Sequence, residues 1–415
     1  RCDGAIMITA SHLPFNRNGF KYFDRDGGLN KEDISHIIDC AQCENLDDHF
    51  DRPGCAENGS DAGAGNDGSD KSAPEAGSKT GSVHKKDLIA SYAAHLREKI
   101  IAEVARPDVP DKPLAGLKIV VDAGNGAGGF YAEQILAPLG ADVSASQFLE
   151  PDGHFPNHQP NPENKEAMES ISRRVVESGA DFGLIFDTDV DRSSAVDKNG
   201  REISRNAIVA MAAALIAVEH PGTTVVTDSI TSDELTVYLE DCLGLKHLRF
   251  KRGYKNVINK SIALNKEGID SQLAIETSGH AAYKENYFLD DGAYLATKIV
   301  IKAAQLAQKG AGIDVLLASL AEPKEALEVR FPISGEDFAA YGEQVLADLK
   351  SWASAPEQAA RGFSLVEPNY EGVRLNVRNA DTTGWCLLRK SLHSISDELA
   401  NYAGIEASPE ELEEV

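Results

Sequence analysis

The sequence predicts an α/β protein built from several units, and three observations carry that expectation. A chain of 415 residues is long enough for roughly two to four domain-sized cores. Short apolar, strand-like runs end in small polar or acidic loops at several points, and stretches of helical spacing follow them. The composition, 42% hydrophobic and 26% charged, is that of an ordinary globular protein.

Charge and cysteine content narrow the function classes. Lysine and arginine number 41 against 66 acidic residues, so the net charge is 41 minus 66, or −25. That balance argues against a nucleic-acid surface and against binding to an anionic membrane. A small anionic substrate would therefore need a locally positive pocket. No apolar run reaches the roughly 18 residues of a membrane helix, and no secretory pattern is present. Six cysteines without regular pairing point to a reducing compartment, with Cys40, Cys43 and Cys55 as incidental thiols. Because Arg1 stands almost directly on a strand, the expectation is an incomplete first domain, lacking its N-terminus and any targeting peptide. The expected location is soluble and intracellular, in cytoplasm or plastid stroma.

The first element is a strand over residues 5–9, read as buried, with Ser11 just past its end. Loops at the carboxyl edge of an open sheet are where small side chains are presented for chemistry. Ser11 is thus the candidate nucleophile, with His12 beside it. Pro14 stiffens the exit, and Gly19 lets the chain fold back so that Lys21 returns toward the same loop. A strand ending in a serine turn with a surface lysine is the plainer alternative. Residues 31–42 read as a helix through Ile34, Ile37 and Ile38. Residues 53–82 hold no large apolar side chain before Val83, cannot offset their ordering entropy, and are expected to be a disordered insertion.

Helical spacing returns over 87–104, and a second unit opens with the strand 117–121 and the turn DAGNGAGG. Gly124, Gly126 and Gly129 satisfy G-x-G-x-x-G, with Glu150 about 20 residues on, so a dinucleotide site competes here with a tight strand-to-helix turn. The strand 181–186 runs into DTDVDR. In extended chain Asp187, Asp189 and Asp191 share one face. Three carboxylates about 5 Å apart repel by roughly 3 kcal/mol per pair at an effective dielectric near 20, so the cluster calls for a cation. Oxygen-only ligands favour Mg²⁺ over zinc; a calcium loop and a solvated acidic turn are the competing readings.

A third unit begins near Asn206 with the helix 208–218 and the strand 223–227, followed by the basic loop FKRGYK, which read alone is a solvated charged turn. The strand 271–275 leads into ETSGH, where Glu276 and Ser278 can hydrogen-bond sugar hydroxyls and His280 can titrate near neutrality. In the last unit Arg389, with Lys390 and His393 nearby, could bind a phosphate by charge-assisted hydrogen bonds.

Together these loops resemble those of the α-D-phosphohexomutases. TASHLP with NGFK is similar to the phosphoserine loop TASHNP with NGxK, DTDVDR to the Mg²⁺ loop DGDGDR, ETSGH to GE-x-SGH, and RKSLHS to the phosphate loop R-x-SGTEP. Leu13 replaces an asparagine, Thr188 and Val190 replace two glycines, the first glycine of the sugar loop is absent, and Leu392, His393 and Ser394 depart from the last motif. The resemblance implies four domains in a row: 1–82, carrying the insertion; 83–204; 205–321; and 322–403, before an acidic tail at 404–415. The first three would be α/β with mixed sheets and the fourth α+β. It implies a phosphohexomutase, in which Ser11 carries a phosphoryl group and is itself a ligand of the Mg²⁺ held by Asp187, Asp189 and Asp191. His12, Lys21 and His280 would be catalytic, while Arg192, Lys251, Glu276, Ser278, Arg389 and Ser391 would bind substrate. Hexose 1-phosphate and hexose 6-phosphate would interconvert, with hexose 1,6-bisphosphate as activator, and the protein would be a monomer or weak homodimer. A phosphoglucosamine mutase, a catalytically silent sugar-phosphate-binding relative and a nicotinamide-binding protein are the alternatives.

Overall fold

A computed structural model describes residues 2–11, 13, 15–25, 27–42, 82–333, 337–379, 383–390 and 402–407. His12, Ser391, Leu392, His393, Ser394 and the insertion up to residue 81 lie outside the described residues. The chain forms two compact units, Arg1–Leu88 and Ile89–Val415.

The first unit carries an antiparallel hairpin of β1 (Gly4–Ile8) and β2 (Phe20–Asp24), in which Met7 pairs with Lys21 and Ile8 with Phe20. The helix α1 (Lys31–Gln42) follows, over the predicted residues. The expectation of a buried strand is corrected here. β1 is exposed along its whole length, with Ile6 and Ile8 at 62% and 65% exposure. Apolar, β-branched side chains favour extended backbone, but they do not say whether a second layer covers the strand.

The second unit is entered by α2 (Leu88–Glu103). Its first sheet joins β3 (Ile119–Asp122), β4 (Phe182–Phe186), β5 (Ser193–Asp197) and β6 (Glu202–Ile203) in that order. β3 and β4 are parallel, and the remaining pairs are antiparallel. Between β3 and β4, α3 (Lys165–Ser178) starts on the Asn164 side chain, which accepts a bond from the Ala167 N–H at 3.0 Å, and ends on left-handed Gly179, φ +63°. α3 buries Met168, Ile171 and Val175 against one face of the sheet.

The helix α4 (Asn206–Ile216) is buried on every side from Ala207 to Ile216. Such a helix belongs inside a protein, not on its surface. It lies between the first sheet and a second one, built from β7 (Thr224–Thr227), β8 (Lys246–Arg249), β9 (Leu273–Ile275) and β10 (Ala281–Tyr283), with α5 (Asp233–Val237) after β7 and α6 (Tyr254–Lys266) after β8. The order is β10-β9-β7-β8, parallel except at β9–β10. The largely buried α7 (Gly292–Ala307) packs beside α4. One continuous core therefore runs from Ala93 to Leu320. Each of Ile208, Val209, Met211 and Leu215 in it contributes roughly 1.5–3 kcal/mol by leaving water.

A third sheet is antiparallel throughout: β11 (Leu327–Pro332), β12 (Phe363–Leu365), β13 (Val373–Arg378), β14 (Thr383–Lys390) and β15 (Tyr402–Ala407), in the order β11-β15-β14-β13-β12. The helix α8 (Phe338–Ala353) packs against β12, β13 and β14.

The G-x-G-x-x-G segment is a packing turn. A Cβ on Gly126 would stand 2.8 Å from the Thr188 Cα and carbonyl oxygen, and one on Gly129 would run into the Leu149 carbonyl. The space a pyrophosphate would need is filled by protein, so the dinucleotide alternative fails. Gly129→Ala is expected to cost about 1–3 kcal/mol by overpacking, read as a lower urea midpoint at unchanged slope.

Candidate functional site

The carboxyl ends of β4, β7, β8 and β9 each release a polar loop, and within the second unit these loops meet. After β4, Asp187, Asp189 and Asp191 bring one carboxylate oxygen each to within 4.8 Å of one another. The predicted geometry needs one correction. The aspartates converge through a tight turn, not through strand alternation: Val190 N–H donates to the Asp187 carbonyl at 3.4 Å, and Val190 sits at φ +67°. A β-branched residue there costs roughly 1–2 kcal/mol. The turn is held because Gly292 N–H donates to the Val190 carbonyl at 3.0 Å, in a place where a Cβ on Gly292 would lie 2.6 Å from the Arg192 carbonyl carbon. From behind, Ala127 N–H donates to the Thr188 carbonyl at 2.8 Å.

Asp187 is fully buried and Asp191 nearly so. Burial first, then the neighbouring Asp191, push the Asp187 carboxyl well above the usual carboxylate range, with Arg192 opposing. Arg192, 2% exposed, donates Nε to Asp187 Oδ2 at 3.0 Å and Nη1 to Asn161 Oδ1 at 3.3 Å. One guanidinium beside three convergent carboxylates leaves net negative charge in a buried place. The donor set is oxygen only and small, which fits a hard divalent cation such as Mg²⁺.

The loop after β9 lies alongside. Arg192 and His280 pair as an isolated antiparallel bridge, and the His280 ring stacks on Tyr254 with centroids 5.3 Å apart. His280 Nδ1 stands 2.7 Å from Asp290 Oδ2 and 3.7 Å from Asp191 Oδ1. Burial pulls the imidazole down, but Asp290 and then Asp191 more than offset it and push its pKa up to about 9. Since the unfolded value is about 6.5, the stabilisation from the charged ring is fully present below that pH and is lost as pH rises through about 9. In metal-free protein Asp290→Asn is expected to lower the urea midpoint at pH 7 and to lie close to wild type by pH 10.

Glu276 Oε1 accepts from the Gly253 N–H at 2.6 Å, and burial followed by the Asp228 charge raises its pKa to about 7. Asp228, released by β7 and fully buried, takes both the N–H and the hydroxyl of Thr277, at 3.3 and 2.8 Å. Ser278 is buried in the same loop. In the basic loop after β8, Lys251 is exposed, whereas Arg252 is half-buried and turned toward Glu163, 3.4 Å away. Arg389 is buried on β14, donating Nη1 to the Lys390 carbonyl at 3.4 Å.

Sequence reasoning missed Asp228, Arg252, Glu163 and Asp290. Asp228 carries the signal that revealed Asp187, an apolar strand ending in an acid; the others acquire their setting only from tertiary contacts. The first unit carries the remaining described candidates. Ser11 lies in the turn beyond β1 at φ +51°, its N–H donating to Thr9 Oγ1 at 2.9 Å, and Lys21 lies on β2. A Cβ on Gly19 would stand 2.7 Å from the Thr9 carbonyl oxygen, so the close approach of the two hairpin arms requires glycine there.

Strand-end loops that gather three carboxylates, a guanidinium and an imidazole in one place define the class: an α/β protein with a charged site, suited to a divalent cation, at the carboxyl edges of its sheets. Residues 1–46, 90–200 and 204–322 match the family models for phosphoglucomutase/phosphomannomutase α/β/α domains I, II and III. A phosphomannomutase/phosphoglucomutase of Pseudomonas syringae pv. tomato is 28% identical over 388 residues, covering 92% of this chain and 71% of that protein. A phosphoglucomutase of Neisseria gonorrhoeae is 28% identical over 354 residues, covering 85% of this chain and 65% of that protein. A crystal structure of a phosphoglucomutase/phosphomannomutase family protein from Burkholderia thailandensis is similar with a TM-score of 0.70 at 24% identity, over 99% of this chain and 74% of that one; at that identity the likeness speaks for the fold alone. The chain belongs to the phosphoglucomutase/phosphomannomutase family, the α-D-phosphohexomutases, which are isomerases of hexose phosphates. Among the described residues no helix is long and apolar enough to cross a membrane.

Proposed function

We propose that this chain interconverts hexose 1-phosphate and hexose 6-phosphate through a phosphoseryl enzyme and a hexose 1,6-bisphosphate. The observation that supports this best is the convergence of Asp187, Asp189 and Asp191 beside Arg192 and His280, an arrangement that would suit a phosphoryl group once the carboxylates hold a divalent cation. In the first half-reaction the free sugar hydroxyl attacks the phosphorus on Ser11. The Ser11 O–P bond breaks as the new sugar O–P bond forms, and the hydroxyl proton passes to a base. The bisphosphate then turns round, and the other phosphoryl group returns to Ser11 with a proton restored to the departing sugar oxygen. Phosphoryl transfer of this kind needs position and charge neutralisation more than covalent assistance.

The side chains divide that work. Lys21 and His280 carry the proton, with His12 beside the nucleophile. Arg192 neutralises charge that develops on the transferring group, Glu276 and Ser278 hold sugar hydroxyls, and Arg389, Ser391 and Lys251 hold the non-reacting phosphate. Asp187, Asp189, Asp191 and a phosphoseryl oxygen of Ser11 would hold Mg²⁺, which when bound supplies further positive charge at the phosphoryl oxygens. A trace of hexose 1,6-bisphosphate would keep Ser11 charged. A panel of glucose, mannose and glucosamine 1-phosphates with Mg²⁺ and that activator tests the reading: turnover of glucose or mannose 1-phosphate is expected, turnover of glucosamine 1-phosphate alone would move the assignment to an amino-sugar mutase, and turnover of none would refute it.

A further inference from the structure

Glu371, in the turn entering β13, reaches out of the last sheet to two loops of the second. Its Oε2 accepts from the Ser229 hydroxyl and from the Arg252 N–H, the latter at 3.1 Å. The next amide along, Gly253 N–H, is the one that donates to Glu276. Consecutive amides of the basic loop are thus held by two carboxylates, one from the sugar-binding loop and one from the last sheet. Three residues further on, Arg374 is 2% exposed. Its Nη1 donates to the Ser229 carbonyl at 3.1 Å, and its Nη2 to the Thr231 carbonyl and to Asp233 Oδ1, each at 3.1 Å. Its guanidinium lies 3.8 Å from the Trp385 ring centroid.

Cohesion alone would be served by apolar contacts, since burying charge is costly and yields orientation in return. We propose that Glu371 and Arg374 are positioning residues that fix the last sheet in register with the loops presenting Glu276 and Arg252, and so set the affinity for the sugar phosphate. This rests on the sugar-binding role proposed for Glu276.

The test compares Glu371→Ala, Glu371→Gln and Ser229→Ala by steady-state kinetics with glucose 1-phosphate and by amide exchange of residues 228–233 and 250–256. A hydrogen bond to a charged group is worth roughly a tenfold effect or more. Glu371→Ala is expected to raise KM about tenfold with a smaller change in kcat and to speed exchange in both loops. Glu371→Gln, whose side-chain oxygen can accept both bonds, should restore KM to within about threefold. Ser229→Ala, which keeps the Arg252 amide contact, should give an intermediate KM and so serves if Glu371→Ala does not fold. A lowered unfolding midpoint with KM and loop exchange unchanged would overturn the proposal. Loop exchange is read without turnover, so a failure of positioning is distinguishable from a failure of the mutase reading.

Discussion

Ser11→Ala is expected to abolish mutase turnover, with at least about a 10⁴-fold loss in kcat/KM, because no other group would accept the phosphoryl on the way between the two sugar oxygens. The variant should fold. Ser11 lies in the turn between β1 and β2, and the bond from its main-chain N–H to Thr9 Oγ1, like the Thr9 N–H bond to the Gly19 carbonyl, is one that alanine keeps. Alanine at φ +51° is no less compatible with that backbone than serine, so the unfolding midpoint should move little. Turnover of glucose 1-phosphate in the coupled assay, with the midpoint as control, checks both halves. Activity within tenfold of wild type would remove Ser11 from the mechanism.

The second large effect concerns the cation loop. Loss of an outer-shell partner already costs about 10–100-fold in metal affinity, so removing one of three candidate ligands should cost at least that. Asp189→Asn is the cleanest choice, since Asp189 is the least buried of the three and asparagine keeps the shape. Half-activation by Mg²⁺ should shift upward by at least about 100-fold. The metal-free protein should respond in the opposite direction. Burial, Asp191 and, further down, Asp189 all hold the Asp187 carboxyl above its usual range, so removing one charge lessens the repulsion and raises the melting temperature in EDTA. Mg²⁺ titrations followed by calorimetry and by thermal melts measure both. An unchanged Mg²⁺ response would mean that the acidic turn does not hold the cation.

Much of the fold was legible because local pattern alone marks the elements, whether their apolar side chains are then buried, as in β4 and β9, or left partly or largely exposed, as in α1. Ile34, Ile37 and Ile38 mark α1, and the apolar runs feeding Asp187 and Glu276 are β4 and β9. The site was legible wherever a strand delivers a charged side chain directly, as at Asp187 and Arg192. Three things were hidden. Alternation placed the aspartates on one face of an extended chain, but Val190 at φ +67° makes a turn instead, a conformation that its β-branched side chain gives no reason to expect. In the basic loop, charge alone could not say that Arg252 turns inward while Lys251 stays in water. Glu371 lies far from any motif, and its bonds to Ser229 and the Arg252 amide exist only because two sheets meet.

The central claim is that the phosphoryl group rests on Ser11 between turnovers. It is tested most directly by charging the protein with hexose 1,6-bisphosphate labelled in both phosphates, removing free ligand, locating the label by peptide mass spectrometry, and adding unlabelled glucose 1-phosphate for a single turnover. The account predicts that the label sits on the peptide containing Ser11 and passes to the sugar bisphosphate on mixing. Label on another residue, or turnover while the Ser11 peptide stays unlabelled, would contradict it.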